Sequence, residues 1–597
     1  MVRHHLRKTL APAFILMAVA GLSVPATAIH GGDTEVTVGS EDTIFSQNKQ
    51  NEPSVAIDPA HPTVVAAGSN DNIDMEACNA GPPTDCPFTL DVGGTGVHFS
   101  FDSGDTWIQP TYTGLTARDC LGDPDPTITT DVCVAHPGPI GTLPRYDEVG
   151  LVSDGDPALA FGPVPDADGD FSWANGSRLY FGNLTSNLSV SETLSFKGFE
   201  AIAVSRIDGD PALTPAIVAD QDNWMAPVIA SSQSSATFAD KVQVWADNAE
   251  SSPFFGNAYV CYARFQGAGA APMTVATSTD GGDTWVNKKV SPGHNVAPRM
   301  WGQSGCTIRT DSEGVVYVFY EEFQNPDFFF PPSGRHFLVQ SFDGGASWTR
   351  PRVINEVIDP CYELEFDGAS SRCVSDGIAG ARNDLAASPN VSIANGAPTG
   401  AGATDEIVLT WVGFEENRDE HVWVRYSTDG GASWSDPQIV ESPGDRGYYS
   451  APALSPDGTD LYLVYNAFTT PFRDDTTSVR GLVGVVLHAD VGPAGAPTGW
   501  TEVHRGAVGD PRGSAQNNII IEFLGDYVYA SATNNYAVAV WQDARDAGVC
   551  PAVQTWRAAM QADPASFPEG RPAIQEECPA TFGNTDIFAW SGADPTP

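Results

Sequence analysis

Lysine and histidine are scarce in this chain of 597 residues, which has six lysines and 11 histidines. Basic residues total 30 against 75 acidic ones, a net charge of −45 at pH 7. So negative a surface repels nucleic acid and anionic lipid, and neither is expected as a partner. The few histidines are scattered. His-Glu-x-x-His, the nucleophile elbow, the phosphate loop and the dinucleotide fingerprint are all missing. Those absences argue against a Ser/His/Asp or zinc hydrolase and point to no required cofactor. No Cys-x-x-Cys motif or Cys/His cluster suggests bound zinc. Helical patterning is almost absent, and Ala558–Ala562 alone suggests one short turn. After the N-terminal segment no run is long and apolar enough to cross a bilayer, so no membrane insertion is expected.

That N-terminal segment has the pattern of an export signal. Arg3, Arg7 and Lys8 precede an apolar run from Leu10 to Val24, and Ala26-Thr27-Ala28 offers a cleavage site. Residues 1–28 are therefore expected to be removed. The product is expected to be a secreted monomer, extracellular or cell-wall associated. The ten cysteines fit disulfides in an oxidising compartment. Proximity suggests Cys78 with Cys86, Cys120 with Cys133, Cys361 with Cys373, Cys550 with Cys578 and Cys261 with Cys306. Such local bridges would staple long rim loops.

Four segments repeat one pattern, S-x-D-x-G-x-[ST]-W. They run from Ser100 to Trp107, Ser278 to Trp285, Ser341 to Trp348 and Ser427 to Trp434, with Asp102, Asp280, Asp343 and Asp429 at the third position. The pattern describes a hairpin turn. The Asp can accept backbone N–H bonds two or three residues on. The Gly supplies a positive φ, and the Trp anchors the turn on the sheet. Alternating apolar strands precede the copies, as in Phe337–Ser341 and Val422–Tyr426. A second recurring element is a short apolar strand: Glu52–Ile57, Asp156–Phe161, Trp224–Ile229, Gly305–Ile308, Asn390–Ile393 and Ser450–Leu454. A seventh unit passes through Phe523–Tyr527 and Val538–Asp543. The fold class is all-β; the repeat's resemblance to the Asp box of sialidase-like propellers implies a β-propeller of six or seven four-stranded blades in which the second element is the innermost strand, and counting those strands favours seven. It is expected as a single domain over residues 36–592, followed by a polar tail over 593–597. A strand near Glu35–Ile44 would close the ring.

The repeat resembles the Asp box, or bacterial neuraminidase repeat, of the sialidase-like propeller superfamily. That resemblance implies a structural box between the third and fourth strands of a blade, on the rim away from the active site. It also implies a ligand site at the channel mouth, where inner strands begin. Arg299, Arg382, Arg446 and Arg512 stand there in four consecutive units and could bind a substrate carboxylate. Sialidases use a tyrosine nucleophile activated by a glutamate, with an aspartic acid as acid/base. By that resemblance Tyr527 or Tyr448 is the nucleophile, Glu321 or Glu322 the base, and Asp154 or Asp156 the acid. A free tyrosine, with a pKa near ~10, needs such a base. The family's Arg-Ile-Pro segment has no match; the first unit carries Asn51-Glu52-Pro53, and no arginine lies between the leader and Arg118.

Paired carboxylates are plentiful enough for ordinary two-carboxylate glycosidase chemistry as well. Asp166, Asp168 and Asp170 resemble the start of a calcium loop, but Arg178 stands where its closing glutamate would be, so a structural Ca²⁺ and a solvated acidic turn are both open. Three functions remain open. One is a sialidase-like glycoside hydrolase acting on acidic glycans, of sialic or uronic acid. The second is a non-catalytic propeller binding an extracellular glycan, glycoconjugate or protein. The third is a propeller polysaccharide lyase.

Overall fold

The computed structural model describes residues 32–40, 49–76, 89–120, 133–189, 194–266, 271–293, 301–325, 329–366, 371–374, 376, 378, 382–415, 420–514, 523–562, 570 and 572–596. The leader, Arg299 and the Cys78–Cys86 pair lie outside these residues. Among the described residues no helix is long and apolar enough to cross a membrane.

Seven antiparallel sheets surround a central channel as the blades of a propeller. Their inner strands are Gln50–Ile57, Ala158–Pro165, Thr237–Ala246, Trp301–Thr310, Asn390–Ile393, Arg446–Leu454 and Tyr529–Ala532. Each blade then meanders outward. The N-terminal strand Asp33–Glu35 is the outermost strand of the seventh blade, paired with Asp586–Ala593. The first and last parts of the chain thus share one sheet and close the ring. Second strands such as Val316–Gln324, Ile407–Phe414 and Asp460–Phe468 are buried on both faces, because each blade is covered by a blade on either side. That explains why they read as near-continuous apolar runs. The apolar core is divided into layers between blades, one built around Tyr180, Val244 and Tyr262, another around Phe319, Val391 and Trp411.

Three expectations need correction. Trp224–Ile229 is the outermost strand of the second blade, not the innermost of the third. Its Pro-containing apolar pattern matches the inner strands, but it pairs only with Ala201–Gly209. The short turn expected at Ala558–Ala562 is the end of a longer helix, Pro551–Ala562. This helix sits in an insertion between strands of the seventh blade, closed by Cys550–Cys578. Cys120–Cys133, Cys361–Cys373 and Cys261–Cys306 also form. The last is no loop staple, since it joins the second strand of blade 3 to the inner strand of blade 4.

The four repeats fold into the same turn. In each, the first Ser Oγ donates to the Asp Oδ1 at 2.7–2.9 Å and accepts the Gly N–H at 2.8–2.9 Å. The Asp carboxylate accepts the N–H of the residue four positions on, farther than expected, together with its hydroxyl. The Gly has a positive φ, 86° at Gly345. The later three copies join third and fourth strands of their blades; in the first blade the fourth position is a single bridge, Phe99 to Ile108. Hydrogen bonds from Ser433 hold the Asp429 carboxyl down at about 2. Its share of stability is therefore complete above the ordinary carboxylate range and disappears as pH falls through that value. Ser341 is fully buried. Ser341→Ala leaves the Gly345 N–H without its acceptor, and should lower unfolding free energy by about 1–3 kcal/mol in urea titration.

Candidate functional site

At the end of the channel where the inner strands begin lies a cavity of about 840 Å³. Among the described residues eight acidic ones line it against two basic ones, Lys241 and Arg382. Phe238, Phe265, Phe323 and Phe523 supply apolar walls.

The backbone delivers these side chains by a repeated device. Inner strands of blades 1, 3, 4 and 6 have a register break near their start, at Asn51/Ser54, Asp240/Gln243, Ser304/Thr307 and Gly447/Tyr449. Each such bulge re-aims a residue where the strand enters the channel. Glu52, Asp156 and Lys241 have φ of 52°, 54° and 55°, and Gly305 has 62° in the corresponding place of blade 4. Left-handed backbone at a non-glycine residue costs about 1–3 kcal/mol. Three such residues meet here.

They meet around the Lys241 ammonium. Its Nζ lies 3.3 Å from Glu52 Oε1, 3.3 Å from Asp156 Oδ1 and 2.6 Å from Asp526 Oδ2. The Lys241 N–H donates to Asp240 Oδ1 at 2.9 Å, and Asn70 Nδ2 donates to Glu52 Oε2 at 2.7 Å. Burial opposes the charge on Lys241, but Asp156, Asp526, Glu52 and Asp240 together raise its pKa well above the ordinary value. The carboxyls do not all ionise. Burial, then the charge of Asp156, pushes Glu52 far up, against Lys241. Burial would also raise Asp156, but Lys241 and hydrogen bonds with Glu52 and Asp240 hold it below the usual range. Between these two, charge is favoured on Asp156 and the proton on Glu52. Burial raises Asp240 to about 7, with Lys241 opposing. On the neighbouring wall Asp154 opens into the cavity, whose enclosure raises it to about 7 against hydrogen bonds from Ser186. Glu200 feels the charges of both and is raised well above its ordinary value, chiefly by burial.

The residues expected from sequence separate into two sets. Asp154, Asp156 and Arg382 line the cavity. The Arg382 guanidinium lies 4.0 Å from the Phe523 ring centroid, with Asp384 at 3.3 Å. Tyr527 lies close enough to feel Glu52 and Asp156, and burial first, then those charges, hold its hydroxyl protonated. The others lie elsewhere. Arg446 pairs with Glu420 at 2.7 Å and with Asp376, and Arg512 with Asp510 at 2.6 Å; both pin loops. Tyr448 is buried against Tyr449 and Phe468. Glu321 is buried beside Ser388 and Asp359, and Glu322 pairs with Arg335 at 3.2 Å. Asp166 Oδ1 accepts the N–H groups of Asp168 and Asp170 in an exposed turn. Among the described residues, metal-type ligand atoms converge at Asp460, His488 and Asp490.

Sequence reasoning missed Glu52, Asp240, Lys241 and Asp526. The cause for two of them is specific. Taking Trp224–Ile229 as the inner strand of blade 3 placed that blade's mouth in the wrong segment. The usable signal was one of only six lysines, next to an Asp, at the start of an alternating strand.

No family model matches the sequence, and no curated protein matches it either. Among solved structures, a Hadza microbial sialidase aligns at 12% identity with a TM-score of 0.36, over 70% of this chain and 63% of that one, so the chain spans less than two thirds of that protein. The Trypanosoma rangeli sialidase in complex with the inhibitor DANA aligns at 13% identity and TM-score 0.37, over 86% of this chain and 74% of that one. A polysaccharide lyase described as an ulvan lyase aligns at 10% and 0.38, over 84% and 92%.

Lys241→Ala should destabilise the protein strongly at pH 7.5, by about 3–5 kcal/mol, because it leaves buried negative charge uncompensated. At pH 5 the deficit should shrink as the carboxyls take up protons. Urea titrations at both pH values measure this, and equal deficits would show that the lysine acts only by packing.

Proposed function

We propose that the chain is an extracellular glycoside hydrolase whose active site is the mouth cavity, with Asp240 as general acid and Asp154 as general base. The observation that carries this is a pair of carboxyls, Asp154 and Asp240, in the lining of one phenylalanine-walled cavity, where burial raises both to about 7. Near neutral pH one can be protonated while the other is ionised, as hydrolysis of a glycosidic bond requires. Burial first, then the charges of Asp156 and Asp526, favour the proton on Asp240 against the pull of Lys241. Hydrogen bonds from Ser186 favour the charged form of Asp154. Asp240 would protonate the leaving oxygen while Asp154 takes a proton from the attacking water. Lys241 then holds Asp156 ionised beside a second forming anion.

The cavity supports a substrate of neutral sugars over the acidic glycans suggested by the sequence. Lys241 is already surrounded by carboxylates, and Arg382 faces Asp384. A sugar carboxylate entering would meet a surplus of like charge. The phenylalanine walls suit the apolar faces of pyranose rings. Four disulfides are consistent with an extracellular location.

The test is a panel of chromogenic neutral glycosides and neutral polysaccharides, run beside sialosides and uronides. Asp240→Asn and Asp154→Asn should each lower kcat/KM by roughly 10²–10⁴-fold while the fold is retained. The pH profile should fall on both sides of about 7. Cleavage of sialosides alone would overturn the substrate assignment. Full activity in both variants would overturn the assignment of the acid and base. No release from any member, with a neutral glycan still bound, would leave a binding propeller.

A further inference from the structure

The channel has a second end with the opposite chemistry. The inner strands finish around a cavity of about 270 Å³ to which all seven blades contribute. Among the described residues no Asp or Glu lines it, although acidic residues outnumber basic ones 75 to 30 in the chain. Its one charged lining residue is Arg309, in the last part of the inner strand of blade 4.

Arg309 is set differently from the structural arginines. Arg178, Arg446, Arg505, Arg512 and Arg545 each pair with a carboxylate. Among the described residues none lies within ion-pair distance of Arg309. Its guanidinium carbon sits 4.7 Å from the Trp245 ring centroid. Nη1 donates to Gln243 Oε1 at 3.2 Å and to the Ile308 carbonyl at 2.7 Å. Nε and Nη2 make no hydrogen bond to the described residues. Burial lowers the guanidinium to about 10, with only the phenol of Tyr529 opposing, so it is charged at neutral pH. A half-buried cation kept free of carboxylates in so acidic a protein calls for an anion from outside.

We infer that this cavity binds a small organic carboxylate through the Nε–Nη2 edge of Arg309. That edge presents two parallel N–H donors at the spacing of a planar carboxylate. One guanidinium without a second cation suits a single negative charge better than a phosphate dianion. Trp245 and Gln243 fix its plane and leave that edge free. The remaining wall is uncharged and mixed, with apolar Leu159, Phe161 and Leu454 beside polar Asn248, Asn395 and Thr533, which suits a small ligand with both carbon and hydroxyl surface. The volume limits the ligand to about the size of a single sugar acid. This site is independent of the reaction proposed at the mouth.

The test uses the full mature chain and D-gluconate, with D-glucose as the neutral control, in isothermal titration at pH 7.5 and low ionic strength. Gluconate should bind saturably at one site, with glucose at least about tenfold weaker. Arg309→Gln should weaken gluconate by at least about tenfold, and Arg309→Lys should retain part of the affinity. Asp240→Asn, at the other end of the channel, should leave it unchanged. If Arg309→Gln does not fold, the lysine variant and the glucose control still decide. Equal binding of glucose and gluconate overturns the inference. So do unchanged affinity in both Arg309 variants, a matching loss in Asp240→Asn, and the absence of saturable binding.

Discussion

The ammonium of Lys241 is the charge on which the channel mouth depends. Glu52, Asp156 and Asp526 come from three different blades and converge on it, and Asp240 precedes it on its own strand. In a chain of net charge −45, bringing these carboxyls out of water together would be prohibitive without a counter-charge and shared protons. One lysine cannot neutralise all of them. The remainder is eased by protonation: the pKa of Glu52 is driven up, that of Asp156 is held down, and that of Asp240 is raised to about 7. Such a division of protonation states within a cavity is characteristic of acid–base sites.

The backbone needed to build that group differs from the backbone that builds the rim. At the rim, four serine–aspartate turns repeat the same hydrogen bonds with glycine at the positive φ. At the mouth, Glu52, Asp156 and Lys241 hold a similar backbone region without glycine. Glycine there would relieve strain but remove the functional side chain. Blade 4 makes that exchange, since Gly305 stands in the place of Lys241. Blades 1, 3, 4 and 6 share the entry bulge and vary the residue that stands there. Blades 2 and 7 deliver Asp156 and Asp526 from the segments just before their inner strands.

This contrast explains what was legible in the sequence. The boxes are local, with every partner within four or five residues, so spacing alone revealed them and, through them, the architecture. Five of the six inner strands read from sequence, among them Glu52–Ile57 and Asn390–Ile393, lie where the structure has them, because alternation and burial survive in a single segment. The site is not local. Glu52 and Asp526 are brought together only when the seventh blade closes against the first. Proximity to a strand start did place Asp154, Asp156 and Arg382 at the mouth. It failed for Arg446 and Arg512, whose partners Asp376 and Asp510 lie in insertions with no repeat pattern. In so acidic a chain an arginine has many possible partners, and sequence cannot rank them.

The two ends of the channel make the same point from opposite signs. The same seven strands open onto a carboxylate-rich cavity at one end and a carboxylate-free cavity at the other. Strand alternation alone would not produce this, because the chain carries two and a half acids for every base. Gln243 stands against Arg309 where the composition would favour Asp or Glu, and Asn248 and Asn395 line the same cavity. A carboxylate at position 243 would pair with the guanidinium and occupy it. Neutral amides leave it charged, oriented by Trp245 and Gln243, and open to a ligand. The electrostatic difference between the ends therefore lies in side-chain choice on a common scaffold, and it separates a site suited to moving protons from one suited to holding an anion.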